Sequence, residues 1–368
     1  MRVPFVAYKQ QYQNLKEEID FSIEKVLSSG NLIMRQDVDD FEKSLADFLG
    51  VENVVSLNSG TDALFFSLKA LGIGKGDEVI TVSHTFVASI SAIVQAGAAP
   101  VLVDVGEDYL MDMDLVEGAI TPKTKAVIPV HLNGRVCDME RLTEIAKNYN
   151  LFVIEDSAQS LGAEFNGKKA GSMGNTGCFS FYPAKILGCF GDGGALATND
   201  SDIAKKTRLF RDHGQIVKGE IECFGWNSRL DNLQAAVLNV RIRHLSEWIK
   251  RRREIAKAYH DSLFQAQGIK LPPGPDESKH YDAFQNYVLR AEKRDELFEF
   301  LKGREVETLI KDPVPNHLQK GLGLSQFNLP FSEKLAKEVI SLPMYPELAD
   351  EQVKYVISQL KEFYGQIN

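Results

Sequence analysis

One lysine stands out by its surroundings. Lys185 closes the segment Ser180-Phe-Tyr-Pro-Ala-Lys185, with Glu155-Asp156-Ser-Ala-Gln159 upstream and the glycine turn Gly191-Asp-Gly-Gly194 just downstream. A lysine amine forms a Schiff base with an aldehyde, and a carboxylate on the ring nitrogen of a pyridine aldehyde keeps that ring an electron sink. Asp156 follows the apolar run Leu151-Phe-Val-Ile154. A strand there would deliver the carboxylate at its carboxyl end, the rim at which open α/β sheets hold their ligands. Lysine and aspartate together point to pyridoxal phosphate (PLP). Either one alone reads as something ordinary, a solvated lysine or a carboxylate capping the next helix.

A phosphate needs its own cradle. Val54-Val-Ser-Leu57 reads as a buried strand that runs into Asn58-Ser-Gly60-Thr61-Asp-Ala and then an apolar-periodic stretch over 64–71. Strand, then Ser-Gly-Thr, then helix offers free N–H groups, a hydroxyl and the positive end of a helix dipole. The next unit repeats the plan, with a strand over 78–82, then Ser83-His-Thr-Phe86, then a helix through residue 95. Phe86 is placed to stack on a planar ring, or equally to plug the core.

Strand and helix alternate over most of the chain. Further strands are expected over 100–104, 126–130, 151–156, 177–181 and 195–198, with helices near 115–120 and over 139–149 and 202–211. Such alternation implies right-handed crossovers and a mainly parallel sheet, which lets Asp156 and Lys185 converge across neighbouring strands. From residue 230 the pattern turns helical and charged. The basic run Lys250-Arg-Arg-Arg253, flanked by Glu247 and Glu254, reads as a solvated helix face, and Pro272-Pro-Gly-Pro275 as a loop. The expected domains are a large one over 15–244 and a small one over 245–368 that also takes in residues 1–14.

Composition sets limits. With 368 residues, 44% of them hydrophobic, the chain is long enough for two cores. Its net charge of −9 leaves no electrostatic footprint for nucleic acid. Cys137, Cys178, Cys189 and Cys223 show neither CxxC spacing nor a zinc-like histidine companion, so no metal is expected and the thiols fit a reducing compartment. No signal peptide is expected, and no run of about 20 apolar residues is present. A cytoplasmic protein without a membrane partner is expected.

Six motifs in order give the chain a family likeness. Asn58-Ser-Gly-Thr-Asp-Ala, His84-Thr-Phe-Val-Ala, Glu155-Asp-Ser-Ala-Gln, Phe179-Ser-Phe-Tyr-Pro-Ala-Lys-Ile-Leu-Gly, Gly191-Asp-Gly-Gly-Ala and Gly225-Trp-Asn-Ser-Arg-Leu-Asp-Asn-Leu-Gln resemble the DegT/StrS family of PLP-dependent sugar aminotransferases, from about residue 15 to the Leu342-Pro-Met-Tyr-Pro segment. The resemblance implies an α/β protein of PLP fold type I, its large domain a mainly parallel mixed sheet flanked by helices and its small C-terminal domain α+β. It makes Lys185 the Schiff-base lysine that also shuttles protons, and Asp156 the partner of the pyridine nitrogen. Gln159 would meet the ring hydroxyl, Phe86 would stack on the ring, and Gly60, Thr61 and Ser180 would hold the phosphate. Asn227 would reach the phosphate of a neighbouring subunit's cofactor, which implies a homodimer with shared sites.

The same likeness implies L-glutamate as donor and a nucleotide-linked keto sugar as acceptor, with Tyr182, Lys311 and His317 on the substrate side. The stretch from Val306 to Gln319 is similar to that of members acting on 3-keto-6-deoxy sugars, except that Lys311-Asp312 stands where those have His-Tyr. A 3-keto acceptor is slightly favoured over a 4-keto one. A non-catalytic sensor of the same fold is the reading from another class.

Overall fold

The computed structural model describes residues 1–275 and 278–365. Nine strands lie within the first 200 residues: β1 (Asn53–Leu57), β2 (Glu78–Val82), β3 (Ala99–Val103), β4 (Thr124–Val127), β5 (Phe152–Asp156), the two-residue β6 (Glu164–Phe165) and β7 (Lys168–Lys169), β8 (Thr176–Ser180) and β9 (Gly194–Thr198). Seven of them form one sheet in the order β1-β9-β8-β5-β4-β2-β3. The pairs from β8 through β5, β4 and β2 to β3 are parallel, and β9 runs antiparallel to both of its neighbours. The expected rhythm is thus present, with one reversed strand inserted beside β1.

A sheet of this kind needs a core on each face, and period-two alternation supplies both. Val54, Ile80, Val153 and Phe179 enter one cluster, while their neighbours Val55, Val79, Ile154 and Cys178 enter the other. Helices flank the sheet, and some begin at side-chain caps. Ser59 accepts the Asp62 N–H at 3.1 Å ahead of the helix Gly60–Ala70, and Asp138 accepts the Arg141 N–H at 3.2 Å ahead of Met139–Tyr149. The expected helix near 115–120 is instead a single turn, Met113–Val116, that tightens into a 3-10 turn, Glu117–Ala119.

Beyond residue 200 the chain adds a ribbon, β10 (Gln215–Val217) and β11 (Glu220–Ile221), then β12 (Ile269–Lys270), β13 (His280–Tyr281), β14 (Tyr287–Ala291) and β15 (Val339–Leu342). Strands β12, β14 and β15 form a small antiparallel sheet over a separate core that includes Tyr259, Leu289, Leu342 and Leu360. Val3, fully buried, packs into that core and pairs with Val306. The helix Leu245–Leu263 spans both units: Leu245 and Ile249 pack with the large sheet, and Ile255 to Leu263 with the small core.

That helix corrects one expectation. Arg252 and Arg253 are buried and not a solvated face, because carbonyl oxygens of the adjoining loops take their guanidinium groups. Arg252 donates to the carbonyls of Phe284, Gln285 and Met344 at 3.2, 3.2 and 2.9 Å. Arg253 donates to Asp282 O at 2.9 Å and lies 3.8 Å over the Tyr281 ring. Among the described residues no helix is long and apolar enough to cross a membrane.

Candidate active site

A cavity of about 580 Å³ opens where strands β1, β2, β5 and β8 end. The turn after β1 gives it Ser59, Gly60 and Thr61, and the turn after β2 gives Thr85 and Phe86. The end of β5 contributes Asp156 and Gln159, and the β8–β9 connection Ser180, Tyr182 and Lys185. Reversed β9 adds residues from its beginning, Asp192 and Gly193. The second unit closes the space with Arg252, Asn286 and Lys311, and the N-terminus with Phe5 and Tyr8.

Asp156 is buried with both oxygens engaged. Ser89 Oγ donates to Oδ2 at 2.7 Å and the Ala158 N–H to Oδ1 at 3.2 Å. Ser89 lies in the first turn of the helix Ala88–Ala96, so the dipole of that helix also favours negative charge at this point. Lys185 follows a turn closed by its own N–H on Tyr182 O at 2.8 Å. Burial pushes its amine down to about 8, the Lys311 ammonium pushes the same way, and Asp156 opposes both. About a tenth of such an amine is unprotonated at neutral pH, far more than of a surface lysine. His84, also crowded, is driven down to about 4, first by burial and then by Lys311.

Small residues shape the opposite end. Of the first-turn N–H groups of the helix Gly60–Ala70, Ser59 takes those of Asp62 and Ala63, and those of Gly60 and Thr61 remain for a ligand. A Cβ on Gly60 would lie 2.9 Å from Ser180 Cβ, and one on Gly194 only 2.2 Å from the carbonyl carbon of Ser59. Glycine at 194 is therefore required for the start of β9 to pass the helix cap. Ser180 Oγ accepts the Tyr182 N–H at 3.3 Å and keeps its own hydrogen to donate. Gln159 Oε1 accepts from the Asn133 N–H and from Asn286 Nδ2, both at 3.1 Å, leaving its NH2 as the group available to a ligand. The rings of Phe86 and Tyr182 are exposed, 58% and 54%, on the cavity wall.

Two expected residues lie elsewhere. His317 is fully buried and does not line the cavity, because its ring joins Ser83 Oγ at 2.8 Å to Glu333 Oε1 at 3.3 Å and pins its loop to the end of β2. Asn227 is exposed, outside this chain's own cavity, on a segment that pairs with Asp212.

Other residues escaped the sequence reading. Gln285 brackets the lysine from the second unit, donating to Ala184 O and accepting the Ile186 N–H, each at 2.8 Å. Glu155, on the opposite face of β5 from Asp156, accepts the N–H groups of Gly171, Met173 and Gly174 at 2.8, 2.6 and 2.6 Å. It also meets His131 Nε2 at 2.9 Å. Since His131 Nδ1 accepts the Cys137 N–H at 3.1 Å, Nε2 carries the proton and donates to Glu155. Its signal was available, a second carboxylate of opposite strand parity beside Asp156.

The donor set at one end suits a phosphate, and the amine and carboxylate suit a pyridine aldehyde, which when bound supplies a carbonyl for amines and a sink for electrons. That combination on this sheet defines a PLP-dependent enzyme of fold type I. The chain belongs to the DegT/DnrJ/EryC1/StrS aminotransferase family, whose profile matches residues 13–361, and it is a PLP-dependent sugar aminotransferase. It is 43% identical to a "pleiotropic regulatory protein" of Geobacillus stearothermophilus, with 99% of each chain covered. It is 42% identical to the dTDP-3-amino-3,4,6-trideoxy-α-D-glucose transaminase of Streptomyces venezuelae, covering 100% of this chain and 97% of that one. The crystal structure of S. venezuelae DesV in complex with a ketimine intermediate superposes with a TM-score of 0.96 at 41% identity, over 100% of both chains.

Proposed function

We propose that the protein moves the amino group of L-glutamate to the ketone of a nucleotide-linked sugar, with the C3 ketone favoured. The observation that carries this reading is Lys185, a lysine of lowered basicity that shares one cavity with Asp156 and the Gly60–Ala70 helix N-terminus. Lys185 can hold a proton at Nζ and return it, which the transfer requires twice, once from the donor carbon and once to the acceptor carbon. Asp156 fixes positive charge opposite it. Glutamate takes up one water and leaves as 2-oxoglutarate, and the ketone oxygen departs as one water, so the exchange balances with no net water and no external oxidant. The C3 preference is supported by the stretch from Val306 and by the 3-amino sugar in the name of the S. venezuelae relative.

The site is further proposed to be completed by a second copy of the chain. Asn227 is exposed beside the β10–β11 ribbon, whose Ile216, Val217 and Ile221 are 53%, 58% and 67% exposed, and Phe224 next to it is 98% exposed. Mixing Lys185→Ala and Asn227→Ala chains should restore part of the activity that each lacks alone.

Absorption tests the main reading. The PLP-loaded protein should show a band near ~420 nm that moves toward ~330 nm with L-glutamate, with borohydride fixing the label on Lys185. Stoichiometric 2-oxoglutarate should appear, and the NMR spectrum of the product should place the new amine at C3. A protein that stays colourless with PLP would instead support a non-catalytic role, in line with the regulatory name of the G. stearothermophilus relative.

A further inference from the structure

Lys311 is a second ammonium in the cavity, and moving an amino group does not by itself use it. It stands two residues beyond Leu309, which exchanges backbone hydrogen bonds with Ser341 of β15 at 3.2 and 2.9 Å. The edge of the small sheet thus carries the lysine to the cavity wall. Asp312 turns the chain away after it with φ 51°, a left-handed conformation uncommon outside glycine.

Its ammonium has no direct partner among the described residues. Among the described residues Lys311 Nζ forms neither a hydrogen bond nor an ion pair, whereas the surface lysines Lys16, Lys257 and Lys270 each hold a carboxylate. Asp156 is engaged by Ser89 and Ala158, and Asp192 faces solvent. Arg252 also lines the cavity, with its Nη1 committed to three carbonyl oxygens. The neighbouring Asp312 carboxyl is itself pushed up by burial, which weakens it as a counter-charge. Burial pushes the Lys311 amine down while Asp312 and Asp156 oppose it only through space, so an anion at hydrogen-bond distance would restore its charge. The charge of Lys311 pushes down the His84 ring and the Lys185 amine, which places it on the Lys185 side of the cavity.

We propose that Lys311 is a specificity-determining residue that binds a carboxylate of the reactants through a charge-assisted hydrogen bond. This rests on the aminotransferase reading above. Two reactants can bring that group: the amino donor, which has two, or a keto sugar whose C6 is a carboxylic acid. A methyl or hydroxymethyl at C6 offers Lys311 no charge.

The test uses the PLP-loaded protein and its Lys311→Gln, Lys311→Met and Lys311→Arg variants, each first shown to be folded and to keep the ~420 nm band. Glutamate is titrated by the loss of that band. Binding of the UDP-linked and dTDP-linked forms of glucose and glucuronic acid is measured by calorimetry. If the carboxylate is the donor's, Lys311→Gln raises the half-saturating glutamate concentration about tenfold or more and Lys311→Arg restores most of it. If it is the sugar's, the wild type prefers glucuronic acid over glucose, and the Gln and Met variants lose that preference while glutamate is unaffected. Unchanged glutamate titration with no altered sugar preference overturns the proposal, as does equal weakening of both sugars, which would assign Lys311 to the diphosphate. Failure of the aminotransferase reading itself looks different, since the wild type would then show no band or no response to glutamate.

Discussion

At Lys185 three influences compete, and their signs can be separated experimentally. Burial and Lys311 depress the amine to about 8 while Asp156 raises it. In cofactor-free protein, the pH at which Lys185 becomes reactive to an acylating reagent, followed by mass spectrometry, should centre near that value. Lys311→Gln removes a like charge and should move the midpoint up. Asp156→Asn removes an opposite charge and should move it down. No shift in either variant would mean that burial alone sets the amine. Lys185 and Asp156 were legible because each lies in a motif whose chemistry needs that residue type. His317 was misplaced because a loop histidine carries no sign of which way its ring faces. Only the packed loop shows it held between Ser83 and Glu333, away from the cavity.

Among the elements, β5 and the β8–β9 connection set the geometry of the site. Alternation sends Asp156 toward the cavity and Glu155 to the other face, where it gathers three N–H groups of the 171–174 turn and the His131 ring. That turn leads directly into β8, the strand that ends at Ser180 and starts the lysine loop. Glu155→Gln puts an NH2 where donors already point. It should cost about 2–4 kcal/mol in urea unfolding of the cofactor-free protein. An unchanged midpoint would show that the turn holds without it. The strands of the large sheet were legible from their apolar runs, within one to three residues, because most of their residues are buried. The reversal of β9 was not, since an antiparallel strand in this sheet has the same composition as a parallel one. Nor was the role of Gly194, which depends on the approach of Ser59, a residue far away in sequence. Burial of Arg252 and Arg253 was hidden because a basic run looks alike whether its partners are water or carbonyl oxygens.

For the molecule as a whole, the cavity needs parts that no single segment contains. Residues near the N-terminus, the small sheet and the loop around Gln285 all close on the lysine, and none carries a motif that announces it. Asn227 and the apolar ribbon face outward, which in one chain leaves hydrophobic side chains in water. Trp226 anchors the segment from within, its ring 5.1 Å from Phe65 and 5.4 Å from Phe66 on the helix Gly60–Ala70. An interface built on this face would thus be coupled to the phosphate end of the site through that helix. Phe224→Asp puts a charge at the most exposed ring while leaving the Trp226 cluster intact. In sedimentation at micromolar concentration the wild type should run as a dimer and the variant as a monomer. The monomer should also hold PLP more weakly, because the partner's copy of this segment is gone. A variant that stays dimeric would move the interface to another face. A dimer that dissociates without loosening PLP would keep the interface here but take Asn227 out of the shared site.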